Sequence, residues 1–206
     1  MLSGIAKKTY IYKMITDNGG APCPSHGLLS LAICKPTIRR CARAGDYVLG
    51  FSAVKLPPPG RLIYIMRVTD WKPWCDYAIN YPLRRDCIYC CIGGAFSCRT
   101  GARFKYDMDH DLGFAPKRPN AFVLLSTDFR YFGRCDKVDL KSDYPIIHER
   151  VTRLQDGHAI NHVPRLQSEL EQLIDDVWKK FPNMGICRPT NPRSTGCHRQ
   201  PDECEG

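Results

Sequence analysis

The chain has no apolar run approaching the ~20 residues that span a bilayer as a helix. Its opening, Met1-Leu2-Ser3-Gly4-Ile5-Ala6-Lys7-Lys8, has no hydrophobic stretch after a basic start. The first absence argues against a membrane-spanning helix and the second against a secretory leader, so the expected location is cytoplasmic, with no membrane partner. Several compact signatures are also missing: the Gly-Xaa-Ser-Xaa-Gly elbow, the P-loop, Gly-Xaa-Gly-Xaa-Xaa-Gly and His-Glu-Xaa-Xaa-His. Their absence removes the ready-made assignments to serine hydrolases, P-loop nucleotidases, dinucleotide-binding domains and zinc proteases. No internal repeat suggests a solenoid.

What is present fits one domain with appendages. The 206 residues are 43% hydrophobic and 25% charged, enough apolar material for a real core. Twelve cysteines tempt a disulfide framework, but the chain is too long for a small stapled scaffold and the expected compartment is reducing. Most thiols are therefore expected to be free, with Cys34 and Cys41 as small core residues. The formal charge is +9, from 30 basic and 21 acidic residues. Residues 164–206 hold six of the basic and seven of the acidic side chains, so residues 1–163 hold 24 and 14. The excess belongs to the globular part. It suits a nucleic acid or nucleotide partner, and equally a generally basic soluble surface.

Along the chain, residues 9–16 are β-branched and aromatic and read as a strand. Turns follow at Asp17–Gly20 and around Pro22 and Pro24. Residues 28–34 suggest a second strand, and Pro36 can open a short helix over 37–44, with Gly45 as a left-handed cap. Residues 46–52, 62–68 and 121–126 read as further strands, whereas 70–119 shows no long period. Val163, Leu166, Leu170, Leu173, Ile174, Val177, Trp178 and Phe181 recur at steps of three and four, the pattern of a long C-terminal amphipathic helix packing on a sheet. Residues 1–185 are read as one domain and 186–206 as a flexible tail rich in Cys and Pro.

Lys35, Arg39, Arg40 and Arg43 crowd one basic turn. On a helix Arg39 and Arg43 share a face, and guanidinium forks there can grip phosphate or a base edge; a solvated face is the competing reading. Gly45 and Asp46 are assigned to the turn, Asp46 by accepting hydrogen bonds from turn amides. A second candidate is the aromatic-basic loop 129–134. There Tyr131 can stack on a base and Arg134 can hold a phosphate, while Phe129 and Phe132 suit the core.

The order of strand, basic helical turn, Gly45-Asp46, strand, Pro-rich loop and strand ending Val68-Thr69 resembles the PUA-like superfamily, which includes the EVE, YTH and ASCH domains. A closer resemblance is to the family called nucleotide modification associated domain, type 2. It rests on Asp17-Asn18-Gly19-Gly20-Ala21-Pro22-Cys23-Pro24, on Leu29 through Arg40 and on Ala44-Gly45-Asp46-Tyr47-Val48-Leu49-Gly50. Farther on, Arg85-Asp86-Cys87-Ile88-Tyr89, the segment Leu124 to Gly133, and Gly157-His158-Ala159-Ile160-Asn161 also fit. The similarity spans about residues 8–185. Cys23 and Cys87 depart from it, standing where Asn-like polar residues are expected. The resemblance implies an α+β fold: a PUA-like mixed, partly open β-barrel with flanking helices. It also implies association with DNA or RNA base modification, in systems many of which are viral.

Three functions follow as expectations. The first is a nucleic-acid or modified-nucleotide binding module, with contacts from Lys35, Arg39, Arg40, Arg43, Tyr131 and Arg134. The second is an enzyme acting on a nucleobase or nucleotide, with His158 and a carboxylate such as Asp128 or Asp46 as acid–base pair. The third is a protein-interaction accessory of base-modification enzymes. No cofactor is expected. Cys87, Cys90, Cys91 and Cys98, with His110, are candidate ligands for a structural zinc, as are Cys187, Cys197, His198 and Cys204, although neither set has paired-knuckle spacing.

Overall fold

The computed structural model describes residues 7–154, 157–182 and 187–195. In chain order the strands are β1 Thr9–Met14, β2 Cys23–Ser25, β3 Leu28–Leu31, β4 Tyr47–Ser52, β5 Leu62–Arg67, β6 Asp70–Pro73, β7 Tyr89–Ile92, β8 Ala95–Cys98, β9 Phe122–Ser126, β10 Asp128–Tyr131 and β11 His158–Ala159. The helices are α1 Pro36–Cys41, α2 Trp74–Asn80, α3 Met108–Leu112, α4 Leu140–Asp143, α5 Pro145–Arg153 and α6 Pro164–Lys180.

Two sheets form the frame. The first has the order β10-β5-β4-β1-β11 and the second β2-β3-β9-β6, while β7 and β8 make a separate hairpin. Within them β1 and β4 are parallel and the other pairs antiparallel. The fold is thus mixed α+β, and among the described residues no sheet closes into a barrel. The two sheets are nonetheless stitched by two chain crossings. The antiparallel pair β5 and β10 lies in the first sheet, and their chain neighbours β6 and β9 pair in the second. At that corner Ser126 donates its hydroxyl to the carbonyls of Arg67 at 2.6 Å and Asp128 at 2.8 Å.

Period-two alternation explains the layers. On β1, Tyr10, Tyr12 and Met14 enter the core shared by the two sheets, with Leu29, Leu31, Leu124 and Ile38. Ile11 points to the opposite face, beside Leu49, Phe51 and Ile65, and packs with α5 and α6. From α6, Leu166, Leu170, Leu173, Ile174 and Val177 are buried against this face. A third cluster lies on the far side of the second sheet, where Trp74, Tyr77, Tyr89 and Phe104 pack with Val123 and Leu125. Each fully buried large apolar side chain contributes roughly 1.5–3 kcal/mol. Gly50 is obligatory in this packing, because a Cβ there would meet the Tyr64 ring and approach the Met14 sulfur to 2.5 Å.

Helix α1 is shorter than its pattern predicts. It ends at Cys41, and Ala42 is already extended with ψ 148°. Gly45, at φ +96°, belongs to the following turn instead. There the Asp46 carboxylate accepts from the amides of Lys8 and Arg43, both at 2.9 Å. Among the described residues no helix is long and apolar enough to cross a membrane.

Part of the stretch expected as a flexible tail lies against the domain. Residues 187–195 run beside the 131–134 segment, with Cys187 N–H donating to Tyr131 O and Arg134 N–H to Arg188 O, each at 3.0 Å. They end on the loop after β1: Thr190 donates to Asp17 through its amide at 2.7 Å and its hydroxyl at 2.8 Å. Asp17 N–H donates in turn to Asn191 Oδ1 at 2.7 Å.

Candidate functional site

A cavity of about 610 Å³ opens where the end of β1, the loop to Ala21, the entry to α1 and the start of α3 meet. Tyr12, Asn18, Cys34, Lys35, Asp107 and His110 are among its lining residues. Its size falls within the range of small-molecule sites. Met14, Ile15 and Leu154 add apolar surface, and Lys13 and Lys55 bring the lysines to three. Those three face two carboxylates, Asp107 and Asp111, of which the second is already paired with an arginine.

The α1 side of this site is built by a buried ion pair. Arg39 is 0% exposed, and its Nη2 lies 2.6 Å from Asp111 Oδ1. The same guanidinium donates to the carbonyls of Cys34, Asn120, Phe122 and Asp111, at 2.5–2.9 Å. Asp111 Oδ1 also accepts the Cys34 amide at 2.8 Å. Burial pushes the Asp111 carboxyl up, and Arg39 with the Cys34 amide opposes that rise. Both backbone groups of Cys34 are therefore clamped. Cys34 at φ +63° and Lys35 at φ +50° are consecutive left-handed residues without a glycine. Such a conformation costs of order 1–3 kcal/mol per residue and persists only where its surroundings enforce it. The Arg39–Asp111 pair is that enforcement. Lys35 leaves the turn with Nζ 4.7 Å from the Tyr12 ring centroid.

On the opposite side, Asp17 and Asn18 come from the loop after β1. Asp17 is buried and accepts from Thr190 and from the Tyr131 hydroxyl. Asn18 is 3% exposed; its Oδ1 accepts the Gly20 amide at 2.9 Å, while its Nδ2 is buried with no hydrogen-bond partner among the described residues. A buried donor left unpaired costs about 1–3 kcal/mol; Asn18 belongs to the cavity lining, but this nitrogen is sealed from solvent. From α3, Asp107 caps the helix by accepting from the amides of Asp109 and His110 at 2.9 and 3.1 Å.

The structure corrects two proposed ligand contacts. Arg39 is spent entirely on internal partners, because its forks satisfy carbonyls that converge from α1, α3 and the strand entering β9. Tyr131 is 0% exposed, and its hydroxyl donates to Asp17; burial first, and then Asp17, push its pKa well up. Each residue supports a lining element from behind. Lys35 does line the cavity. Arg40, Arg43 and Arg134 are exposed elsewhere on the surface, and Arg43 lies over the Trp71 ring at 4.5 Å.

His158 sits on β11, next to Gly157 at the cavity edge. Burial and then the Lys35 charge hold its imidazole below the usual range. Asp128 is at the sheet corner, accepting from Trp178 Nε1 at 2.8 Å, so the structure shows no pairing of it with His158. Cys23 and Cys87, the two departures from the family pattern, are buried thiols. Burial raises them to about 12 and about 11.

The zinc set is also corrected. Cys91 forms a disulfide with Cys75, tying β7 to α2, so it offers no thiolate. Among the described residues no group of three or more candidate ligands assembles. Cys197, His198 and Cys204 lie outside the described residues. Asn18, Asp107 and Asp111 escaped the sequence reading. Only the Asp17-to-Pro24 motif signalled the first, and nothing local marked the other two.

Residues 6–87 match the family model of nucleotide modification associated domain 2. That span holds β1, the Asp17–Asn18 loop, Cys34, Lys35 and Arg39, and so most of the cavity's first two walls. The remaining wall, from α3, and the strap at 187–195 lie beyond it. No curated protein and no solved structure matches the chain. The match ties this part of the chain to a domain family associated with nucleotide modification.

Proposed function

We propose that the cavity binds a nucleotide or a nucleobase, and that the protein is a binding module of a base-modification system. The observation that carries this reading is a cavity of about 610 Å³ on which Lys13, Lys35 and Lys55 meet apolar surface. Ile15 and Val54 supply apolar surface for the ring, and Lys13, Lys35 and Lys55 supply charge for phosphate. Support for a PUA-like, partly open barrel comes from the two strand crossings that carry β5 into β6 and β9 into β10 across the corner.

Exposed Arg40, Arg43 and Arg134 are available to phosphates of a longer nucleic acid or to an acidic partner enzyme. The 520 Å³ cleft lined by Arg61, Lys137, Lys141 and Lys180 also holds Asp136, Asp139 and Asp143, and Arg61 there is buried and bonded to Gly133 and Thr190.

The test is calorimetric titration with nucleosides, nucleotides and short oligonucleotides at two salt concentrations. Lys35→Ala should weaken nucleotide binding by roughly 10- to 150-fold, the equivalent of about 1.5–3 kcal/mol for a hydrogen bond to a charged group, while the wild-type and Arg40→Ala proteins bind mononucleotides alike. Absence of nucleotide binding, or equal binding by Lys35→Ala, would refute the reading and leave the protein-accessory function in its place.

A further inference from the structure

We propose that Cys135 and Cys187 are a redox-active pair, and that their disulfide fastens the 187–195 strap to the exit of β10. The inference goes beyond the nucleotide-binding reading and does not depend on it.

The two thiols come from distant parts of the chain and are brought together by backbone pairing. Cys187 N–H donates to Tyr131 O and Arg134 N–H to Arg188 O, each at 3.0 Å, so residues 187 and 188 run beside the end of β10. Cys135 is turned back onto the same place by its own amide, which donates to Phe132 O at 2.8 Å. The approach is close: a Cβ on Gly133 would overlap the Arg188 carbonyl. Buried Arg61 braces it by donating to Gly133 O and to the Thr190 hydroxyl oxygen. Both cysteines are half-buried, and neither is in a disulfide. Their sulfurs meet: burial raises the Cys187 thiol to about 11, and contact with Cys135 adds to that rise. Lys137 and Arg134 oppose it, and cations beside a thiol favour the thiolate that exchange requires.

The oxidant is a low-molecular-weight disulfide of the glutathione class, small enough to reach a half-buried sulfur. One protein thiolate attacks it, forming a mixed disulfide and expelling one small thiolate. The second protein thiolate then attacks the protein sulfur of that mixed disulfide. This closes the Cys135–Cys187 bond and expels the other small thiolate. The protein thiols lose two electrons and two protons, and the small disulfide takes up both to become two thiols. The strap has no helix or strand of its own, and segments held by a few hydrogen bonds open locally. Just beyond Cys187, Thr190 and Asn191 hold Asp17, which lies between the cavity-lining residues Thr16 and Asn18. The oxidised pair therefore secures that loop, and the reduced pair leaves it on hydrogen bonds alone.

The test uses the whole protein, reduced with tris(2-carboxyethyl)phosphine and dialysed into mixtures of reduced and oxidised glutathione. Free thiols are alkylated, and the digest is mapped by mass spectrometry. Peptides bearing Cys135 and Cys187 should be joined, with the loss of two hydrogens, in a fraction that rises with the oxidised share. Hydrogen–deuterium exchange is followed at the amides of Thr190 and Asn191, both of which donate to Asp17. With the strap tethered at one end, their exchange should slow by roughly 10-fold or more. Cys135→Ser should exchange alike in every mixture. Absence of the joined peptides, or Cys187 joined to a different cysteine, overturns the pair. Joined peptides with unchanged exchange at Thr190 and Asn191 overturn the fastening. Slowing that persists in Cys135→Ser belongs to another disulfide and overturns it equally. Should that variant unfold by circular dichroism, the wild-type titration decides, because exchange there must slow in step with the joined fraction.

Discussion

Replacing Arg39 with alanine separates an internal clamp from a surface contact. The wild-type guanidinium is fully buried and makes five hydrogen bonds, one of them to a carboxylate at 2.6 Å. Alanine leaves Asp111 as a buried carboxylate without its counter-charge and strands carbonyls of Cys34, Asn120 and Phe122. Breaking a buried pair from one side costs about 3–5 kcal/mol. For a chain of this size each kcal/mol lowers the melting temperature by roughly 2–4 °C, so a fall of roughly 6–20 °C is expected. Arg40→Ala, one residue along and exposed, should stay within about 0.5 kcal/mol. The assay is urea denaturation of both variants with Asp111→Asn and the Arg39→Ala/Asp111→Asn pair completing a double-mutant cycle. The double variant should lose less than the sum of the singles, because each single change already abolishes the ion pair. If Arg39→Ala were as mild as Arg40→Ala, the clamp would be refuted and the guanidinium returned to solvent.

Other outcomes can be checked with the same protein. Gly50→Ala should cost about 1–3 kcal/mol by overpacking against Tyr64 and Met14, read as a lower urea midpoint; an unchanged midpoint would mean that the β1–β4–β5 packing is looser than described. His158 and His162 are both held below the ordinary histidine value, mainly by burial. The folded chain thus binds fewer protons than the unfolded one, so this stability is full above pH about 6.5 and is lost as the pH falls below it. His158→Gln should reduce the loss between pH 7.5 and 5.5, and a midpoint that rises on acidification would contradict the sign. Cutting the Cys75–Cys91 bond, which spans 16 residues, with Cys75→Ser should cost about 3 kcal/mol; identical melting with and without reductant would count against the cross-link.

Much of the frame was legible because its signals are local. The β-branched and aromatic run at 9–16 and the apolar runs at 62–68 and 121–126 fall on β1, β5 and β9, and Pro36 opens α1. The aromatic and glycine-rich middle was opaque, since α2, the β7–β8 hairpin and α3 are short and owe their form to the third cluster of the core. Arg39 shows why the site was harder. Its spacing to Arg43 is that of a solvated helix face, but its partners lie 72 to 83 residues away, and no window of sequence contains them. Tyr131 misled for the same reason, its hydroxyl being claimed by Asp17 across 114 residues. Lys35 was singled out because charge and motif coincided there, and it lines the cavity, as does Cys34, its neighbour, which was read as core filler since a cysteine's sequence does not reveal its φ.

The strap at 187–195 gives assembly of the cavity a direction in time. The loop bearing Asn18 emerges among the first twenty residues, yet the groups that fix its neighbour Asp17 come from Thr190 and Asn191, 173 and 174 positions later. A contact of that separation carries a large loop-closure cost and forms late in folding. On the ribosome the early strands can pair while the Asn18 wall is still unfastened, and a nascent chain stopped before residue 187 would present the cavity without its latch. The Asp17 side of the cavity is thereby completed only in chains that have been read past Asn191.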